Sequence, residues 1–362
     1  MFSKRMKTGG SRCIRIMSNL EGFPMQSDSG RVVEHTYMSL NSYRAAWKMH
    51  LASLRQDALV VYQPNKQICL VCLLRHLTPL RKPKLIVVDI VLKPARSRQE
   101  EYACRLKSLL FKQVDLFLQH VKDTRPISKH YGVPEDRIAY TPWKVNSIED
   151  IEKMQPTEGD HIFTGGRSWR DYKTFCEAMA LVDYPAVILT PDEEENLCHG
   201  TELAEIDVPQ NVKFVRDNGT SDSWVKHMAG SRMVVLPICR ETVSAAGVGA
   251  YLVAMALNKP VIITECPATK DIITDGDQAA IVPPSDPVAL SRAMERVWTD
   301  EAYRRKLQRR GREYALSLGG TETFERNVAE QTIQFVGNGS KKQAASTSRR
   351  TRRKSEPSTI RR

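Results

Sequence analysis

No apolar run in this 362-residue chain is long enough to cross a bilayer. The basic start, Met1 to Ser18, is broken by Gly9, Gly10 and Arg12, and no apolar h-region follows. A secretory signal is therefore not expected, and a cytoplasmic protein is. Cysteine is present but forms no recognisable framework. Cys69 and Cys72 have C-x-x-C spacing, yet no second pair follows to complete a structural zinc site. Both lie in the apolar run Ile68–Leu74 and read as buried core thiols. The even cysteine count does not argue for disulfides in a chain this long without an export signal. No metal-ligand cluster stands out, and no metal is expected. Also missing is a G-x-G-x-x-G after an early strand with an acid about twenty residues on, which disfavours a nicotinamide dehydrogenase.

What is present is ordinary for a globular protein: 41% hydrophobic and 27% charged residues. The length suits two domains. The net charge of +12 is unevenly placed. From Asn338 onward there are nine basic residues and one acid, Glu356. That stretch is rich in Ser and Thr and poor in large apolar side chains, so 338–362 is expected to be a disordered basic tail. Its functional reading is contact with an anionic membrane surface or nucleic acid; the alternative is a solvated tail without a partner. No aromatic residue interleaves its charges, so stacking on bases is not indicated and a nucleic-acid partner is disfavoured.

The second half alternates short apolar runs with amphipathic stretches. Strands are expected at His161–Thr164, Ala186–Thr190, Val212–Val215, Met233–Leu236, Pro260–Thr264 and Ala280–Val282. Helices are expected at Asp171–Val182, Ser223–Ala229, Gly247–Leu257, Pro287–Trp298 and Ala302–Leu316. Asp286-Pro287 supplies an N-cap and a proline at the first helical position. Alternating strands and helices imply a parallel sheet covered on both faces. The first half repeats the pattern less clearly. Strands are read at Asp57–Tyr62, Lys84–Asp89 and Val114–Leu118, and helices at Tyr43–Leu54 and Gln99–Gln113. Residues Met1 to Gly30 carry little periodicity. The polar run Ser147–Lys153 and the turn Pro156–Asp160 mark a boundary. The domains expected are 1–150, 151–337 with a closing helix, and the tail 338–362, with a ligand cleft between the first two.

Gly247-Val-Gly-Ala-Tyr-Leu-Val-Ala-Met-Ala-Leu-Asn-Lys-Pro-Val-Ile-Ile-Thr264 reads as a glycine turn, a helix packed all round, a stop at Asn258-Lys259-Pro260 and a buried strand. A helix N-terminus opened by glycine offers free N–H groups and a positive dipole end to phosphate. Small residues also simply let a helix pack closely on a sheet, and this segment alone does not choose between the two.

Its neighbours do. Thr164-Gly-Gly-Arg-Ser-Trp-Arg-Asp-Tyr-Lys-Thr-Phe-Cys-Glu-Ala178 resembles the glycine-rich loop that opens the C-terminal domain of group 1 glycosyltransferases of the GT-B fold. Leu236-Pro-Ile, Ala246-Gly-Val-Gly and Ala254-Met-Ala-Leu-Asn-Lys-Pro-Val-Ile follow that family's nucleotide-binding segment. Asp275–Asp286 is similar to its closing strand and turn, and Lys129–Ile138 to the segment before its interdomain link. The resemblance covers roughly residues 84 to 316 and is strongest after Ile162. It implies an α/β fold of two Rossmann-like domains whose parallel sheets face a central cleft. It implies transfer of a sugar from a nucleotide-diphosphate donor to a hydroxyl of a glycan or lipid-linked acceptor, with retention and without a required metal. The donor is a substrate, and no cofactor is expected.

Site residues follow from the resemblance position by position. Gly165 and Gly166 fall where backbone approaches the diphosphate. Arg170 falls at the family's phosphate-binding lysine, and Arg167 is the second cation. Gly247, Val248 and Gly249 fall where backbone amides meet the diphosphate. Asp89 falls where many members carry a histidine near the reacting sugar; it is open to a hydroxyl-binding, a basic or a merely capping role. His120 is expected at the same cleft edge, or else as a structural histidine.

One departure stands out. The family places two glutamates eight positions apart, and the second holds the ribose hydroxyls. Here Ala245 and Val253 stand at those positions, with Glu241 nearby but out of register. Losing such an acceptor costs about 1.5–3 kcal/mol, roughly ten- to a hundredfold in affinity. Either Glu241 or a loop compensates, the donor is atypical, or the protein is a catalytically degenerate binding or scaffold partner. The expected location is cytoplasmic, with peripheral contact at the inner membrane face through the tail left open.

Overall fold

The computed structural model describes residues 13–354, apart from Met25, Ser29, Leu80, Arg81, Glu205 and Gly219. Twelve strands follow in chain order: β1 (Ile14–Ser18), β2 (Val33–Tyr37), β3 (Ala58–Tyr62), β4 (Lys84–Val88), β5 (Leu116–Gln119), β6 (Ile138–Tyr140), β7 (Ile162–Gly165), β8 (Ala186–Thr190), β9 (Val212–Arg216), β10 (Met233–Leu236), β11 (Val261–Thr264) and β12 (Ala280–Val282). Between them run α1 (Tyr43–Ser53), α2 (Gln67–Leu77), α3 (Arg98–Phe111), α4 (Arg125–Tyr131), α5 (Ile148–Lys153), α6 (Tyr172–Met179), α7 (Glu193–Cys198), α8 (Ser221–Ala229), α9 (Val248–Ala256), α10 (Pro287–Thr299), α11 (Glu301–Leu318) and α12 (Thr321–Lys354).

The strands form two six-stranded sheets, in the orders β2-β1-β3-β4-β5-β6 and β12-β11-β10-β7-β8-β9. Parallel registers such as Ala58↔Lys84 and Ile162↔Ala186 require a crossover between neighbours, and the intervening helices provide it. By contacts the chain divides into two compact units. One is Met1–Val88, Leu110–Phe117 and Glu325–Arg362; the other is Asp89–Leu109 and Leu118–Phe324.

The first unit is built around β1, β3 and β4, where Ile16, Val60 and Ile86 are wholly buried. β1 and β2 lie in the region that periodicity left mostly unassigned. β1 pairs β2 from Ile14↔Val33 to Ser18↔Tyr37, so burial on a sheet supplies what local pattern did not. Cys72 sits buried on α2 and Cys69 half-buried beside it. Burial pushes the Cys72 thiol up to about 12, as suits an inert core thiol. None of the eight cysteines forms a disulfide.

In the second unit, β7, β8, β10 and β11 are apolar and buried nearly throughout, as strands covered on both faces must be. Tyr172, Phe175 and Met179 of α6 pack with Leu290 and Met294 of α10 into one core cluster. Several helices start where a side chain satisfies one of their first N–H groups. Asp171 caps α6 through Thr174 N, and Asp286 caps α10 through Ala289 N at 2.8 Å. The N-cap of α9 is Gly247 and no side chain caps it; α4 and α5 likewise lack a side-chain cap. Every residue from Ala250 to Ala256 is buried, and the chain leaves the helix through Asn258 at φ 58°. Among the described residues no helix is long and apolar enough to cross a membrane. α12 extends to Lys354, within the stretch whose composition predicts a tail without fixed structure; 355–362 lie outside the described residues.

Candidate functional site

A cavity of about 450 Å3 lies within the second unit, at the carboxyl ends of strands. It is lined by three groups of residues: the loop after β7, the start of α9, and the segments that follow β4 and β5.

The loop after β7 is fixed by its own hydrogen bonds. Gly166 adopts φ 105°, and a Cβ there would stand 2.8 Å from Arg170 Nη2. A side chain at 166 would therefore collide with the guanidinium as well as strain the backbone. Arg170 pairs with Ile238 as an isolated bridge. Its Nε donates to Gly165 O at 2.9 Å, its Nη1 to Ser168 O at 2.8 Å, and its backbone N to Thr201 Oγ1 at 2.8 Å. The residue is 4% exposed and lines the cavity, and no carboxylate pairs with it among the described residues. Burial without a counter-charge lowers its pKa, the electrostatic mark of a cation lacking an anion. Arg167 differs: its side chain is half exposed and pairs with Glu195 through Nη1 and Oε1. Gly165 closes β7 against Leu189 O rather than lining the cavity, since an added Cβ would meet that oxygen at 2.9 Å.

At the start of α9, Gly247, Val248, Gly249 and Ala250 all line the cavity. Gly247 adopts φ 87°, which turns the chain into the helix. Val248 N donates to Ala245 O at 3.2 Å, and with no side-chain cap the N–H groups that follow in the first turn of α9 are the donors of a helix N-terminus. The buried guanidinium of Arg170 and these amides thus border one cavity.

Asp89 follows β4 in a left-handed conformation, φ 53°, and its backbone N–H donates to Leu118 O at 2.9 Å. His120 follows β5 and is 1% exposed. Its Nδ1 lies 2.8 Å from Thr141 O, so the neutral ring carries its proton there and donates it to that carbonyl. Nε2 makes no hydrogen bond among the described residues and stands 3.6 Å from Asp89 Oδ1. Burial pushes the imidazole below its ordinary pKa, opposed by Asp89 and by the bond to Thr141. Trp143 packs edge-on against the ring, with centroids 4.4 Å apart.

The structure therefore brings Asp89, His120, Gly166, Arg167, Arg170, Gly247, Val248 and Gly249 to one cavity. Glu241 is exposed and does not line it, whereas Ala245 and the 3% exposed Val253 do. Sequence reasoning passed over Lys93, Asn146, His199 and Trp224, which also line it. Lys93 donates to Cys198 O, and burial, then Arg167 and Lys93, lower the pKa of His199. A positive cavity wall could have been suspected only from the cation pair Lys93 and Arg96 after β4. Among the described residues no group of three or more His, Cys, Asp or Glu side chains is arranged to hold a metal ion.

Residues 160–300 match the family described as glycosyl transferases group 1. No curated protein matches the chain by sequence. Solved structures share its fold at low identity. HepE of Anabaena, in complex with UDP-glucose, aligns at a TM-score of 0.61 and 11% identity, over 90% of this chain and 99% of that one. Sucrose-phosphate synthase of Thermosynechococcus elongatus aligns at 0.60 and 14%, over 90% and 89%. A glycosyltransferase from Rickettsia africae ESF-5 aligns at 0.59 and 12%, over 84% and 86%. The segment 160–300, which carries the cavity's glycine loop and the start of α9, is thus similar to the group 1 glycosyltransferases, and the chain has the two-sheet α/β architecture of the GT-B fold.

Proposed function

We propose that the protein transfers a sugar from a nucleoside-diphosphate donor to a hydroxyl of a glycan or lipid-linked acceptor, with retention and without a metal ion. The observation that carries this reading is Arg170: a buried cation with no carboxylate partner among the described residues, bordering the same cavity as the open N–H groups of α9. Fixed positive charge and preoriented amides stabilise the charge that grows on a leaving diphosphate. They need no reorganisation at the moment of bond breaking. Lys93 adds charge to the cavity lining, whereas the charge of Arg167 is already paired with Glu195. The donor-bound structures of HepE support a nucleotide sugar as the ligand class. Asp89 is assigned to a hydroxyl of the reacting sugars, with His120 holding the position behind it.

The test is a thermal-shift panel of UDP, GDP, ADP and CMP on the full chain. Ligand at about a hundred times its dissociation constant stabilises by about 2.7 kcal/mol. One nucleotide diphosphate is expected to raise the melting temperature, and chelation with EDTA to leave both the shift and sugar transfer unchanged. No shift with any of the four at millimolar concentration would overturn the donor site.

A second reading, a binding protein that has lost catalysis, is favoured by Val253, whose side chain cannot accept hydrogen bonds from ribose. Val253→Glu separates the two. Tighter nucleotide binding without sugar transfer in either form would support the degenerate reading.

A further inference from the structure

The exposed faces of α1 and α2 share no function with the cavity. On α1, Ala46, Met49, His50 and Ser53 are buried and define the inner face. Tyr43, Trp47 and Leu51 follow one another four residues apart on a different face and are 55%, 51% and 45% exposed. Such spacing forms a single stripe along the helix. Beside that stripe stand the exposed Arg44 and Lys48, with Arg55 just past the helix end. On α2, Ile68, Val71, Cys72 and Arg75 are buried, while Leu73 and Leu77 project from the opposite side. The two helices pack on each other. His50 Nε2 lies 2.9 Å from Thr78 Oγ1, a hydrogen bond that sets their chain neighbours Leu51 and Leu77 at one end of the pair.

Charge is as one-sided as the apolar stripe. From His35 to Val88 the chain has eight basic residues and one acid, Asp57. Asp57 is engaged with Arg15, whose backbone N donates to it at 3.0 Å. Arg44, Lys48, Arg55 and Lys66 are exposed and form no ion pair among the described residues. We infer that the outer faces of α1 and α2 form a docking surface for an anionic lipid bilayer.

Trp and Tyr on an apolar stripe, flanked by Lys and Arg that can reach outward, suit the boundary between headgroups and acyl chains. The apolar side chains supply insertion and the cations supply attraction to anionic headgroups. A second copy of the chain would set like charge against like charge. An acidic protein would satisfy the charge, but the cores of protein interfaces are poor in lysine. The basic residues after Asn338 cannot substitute for this surface, because that stretch has no tryptophan to insert.

The experiment uses the full chain with vesicles of phosphatidylcholine and phosphatidylglycerol at about three to one. Co-sedimentation is expected with these vesicles and to fall steeply on pure phosphatidylcholine. Brominated phosphatidylcholine is expected to quench tryptophan fluorescence in the native chain but not in Trp47→Phe, which should still sediment. Trp47→Ser combined with Leu77→Ser should weaken partitioning by at least about tenfold. Circular dichroism checks that these exposed substitutions leave the fold intact. Binding unaffected by the double substitution, with no quenching at Trp47, would assign vesicle contact to the tail and overturn the inference. A native chain that ignores vesicles but forms dimers, or captures an acidic protein, in a manner lost in Trp47→Ser would overturn it as well.

Discussion

The two loops that border the cavity present positive charge by different means. After β7 the charge is a side chain, Arg170, held by the carbonyls of Gly165 and Ser168. At the start of α9 it is the backbone, bare of any capping side chain. A guanidinium retains a full charge through burial, whereas the partial charge of a helix end decays within its first turn. In the proposed transfer the first loop is therefore suited to stabilising a developing negative charge and the second to fixing where a donor diphosphate would lie. Arg167 shows the difference from within one loop. Three residues from Arg170, it is half exposed and already neutralised by Glu195.

The largest effect should come from removing the buried charge. Arg170→Ala is expected to lower turnover by about 100- to 1000-fold. Loss of its bonds to two carbonyls should cost about 1–3 kcal/mol of stability, less the relief of a desolvated cation. Steady-state kinetics set beside thermal unfolding checks both, and near-normal turnover would break the comparison. The second loop should respond to geometry instead. Gly247→Val forces a branched residue to φ 87° and toward Ile238 Cδ1, so both folding and nucleotide binding should suffer. Gly249→Ala places its Cβ at an ordinary 3.5 Å from Asn146 Nδ2, so folding should hold while nucleotide binding weakens. Isothermal titration and melting curves on the pair separate amide placement from bulk.

A pH series tests the electrostatics of the buried histidine. Burial lowers the folded pKa of His120 below its ordinary value near 6.5, and those of His35, His50 and His199 shift the same way. Above 6.5 such groups are neutral in both states. As pH falls through 6.5 the unfolded chain takes up protons first, so stability should drop between that point and the folded pKa values. His120→Gln should flatten part of that slope in melting temperature against pH. The smallest effect is expected at Arg167→Ala. Exposed ion pairs contribute about 0–1 kcal/mol, so turnover should fall only a few-fold. The pKa of His199 should rise, because Arg167 is among the groups that depress it; proton NMR of the ring checks this.

Where strands are buried on both faces, composition alone marks them: Met233–Leu236 and Ala280–Val282 have the bounds their apolar runs announce. The cap Asp286 was legible because capping is local chemistry. α2 was not recognised as a helix, since the unbroken apolar run Ile68–Leu74 hides the period that its burial reveals. β2 was missed because only Val33 of its five residues is buried. Candidate site residues with glycine or arginine in a patterned loop could be named in advance. Lys93, Asn146, His199 and Trp224 could not, because nothing in their local sequence ties them to the loop they line.

The sequence by itself determined the alternation of strand and helix, the glycine turns and the cations of the loop after β7, because propensity, capping and periodicity act over a few residues. Only the tertiary structure decided that Arg170 is buried without a carboxylate while Arg167 is paired, and that Glu241 lies away from the cavity. It also decided that His120 stands behind Asp89. Burial and pairing depend on residues brought together across 31 positions between Asp89 and His120, or 28 between Arg167 and Glu195, and no local rule reaches that far.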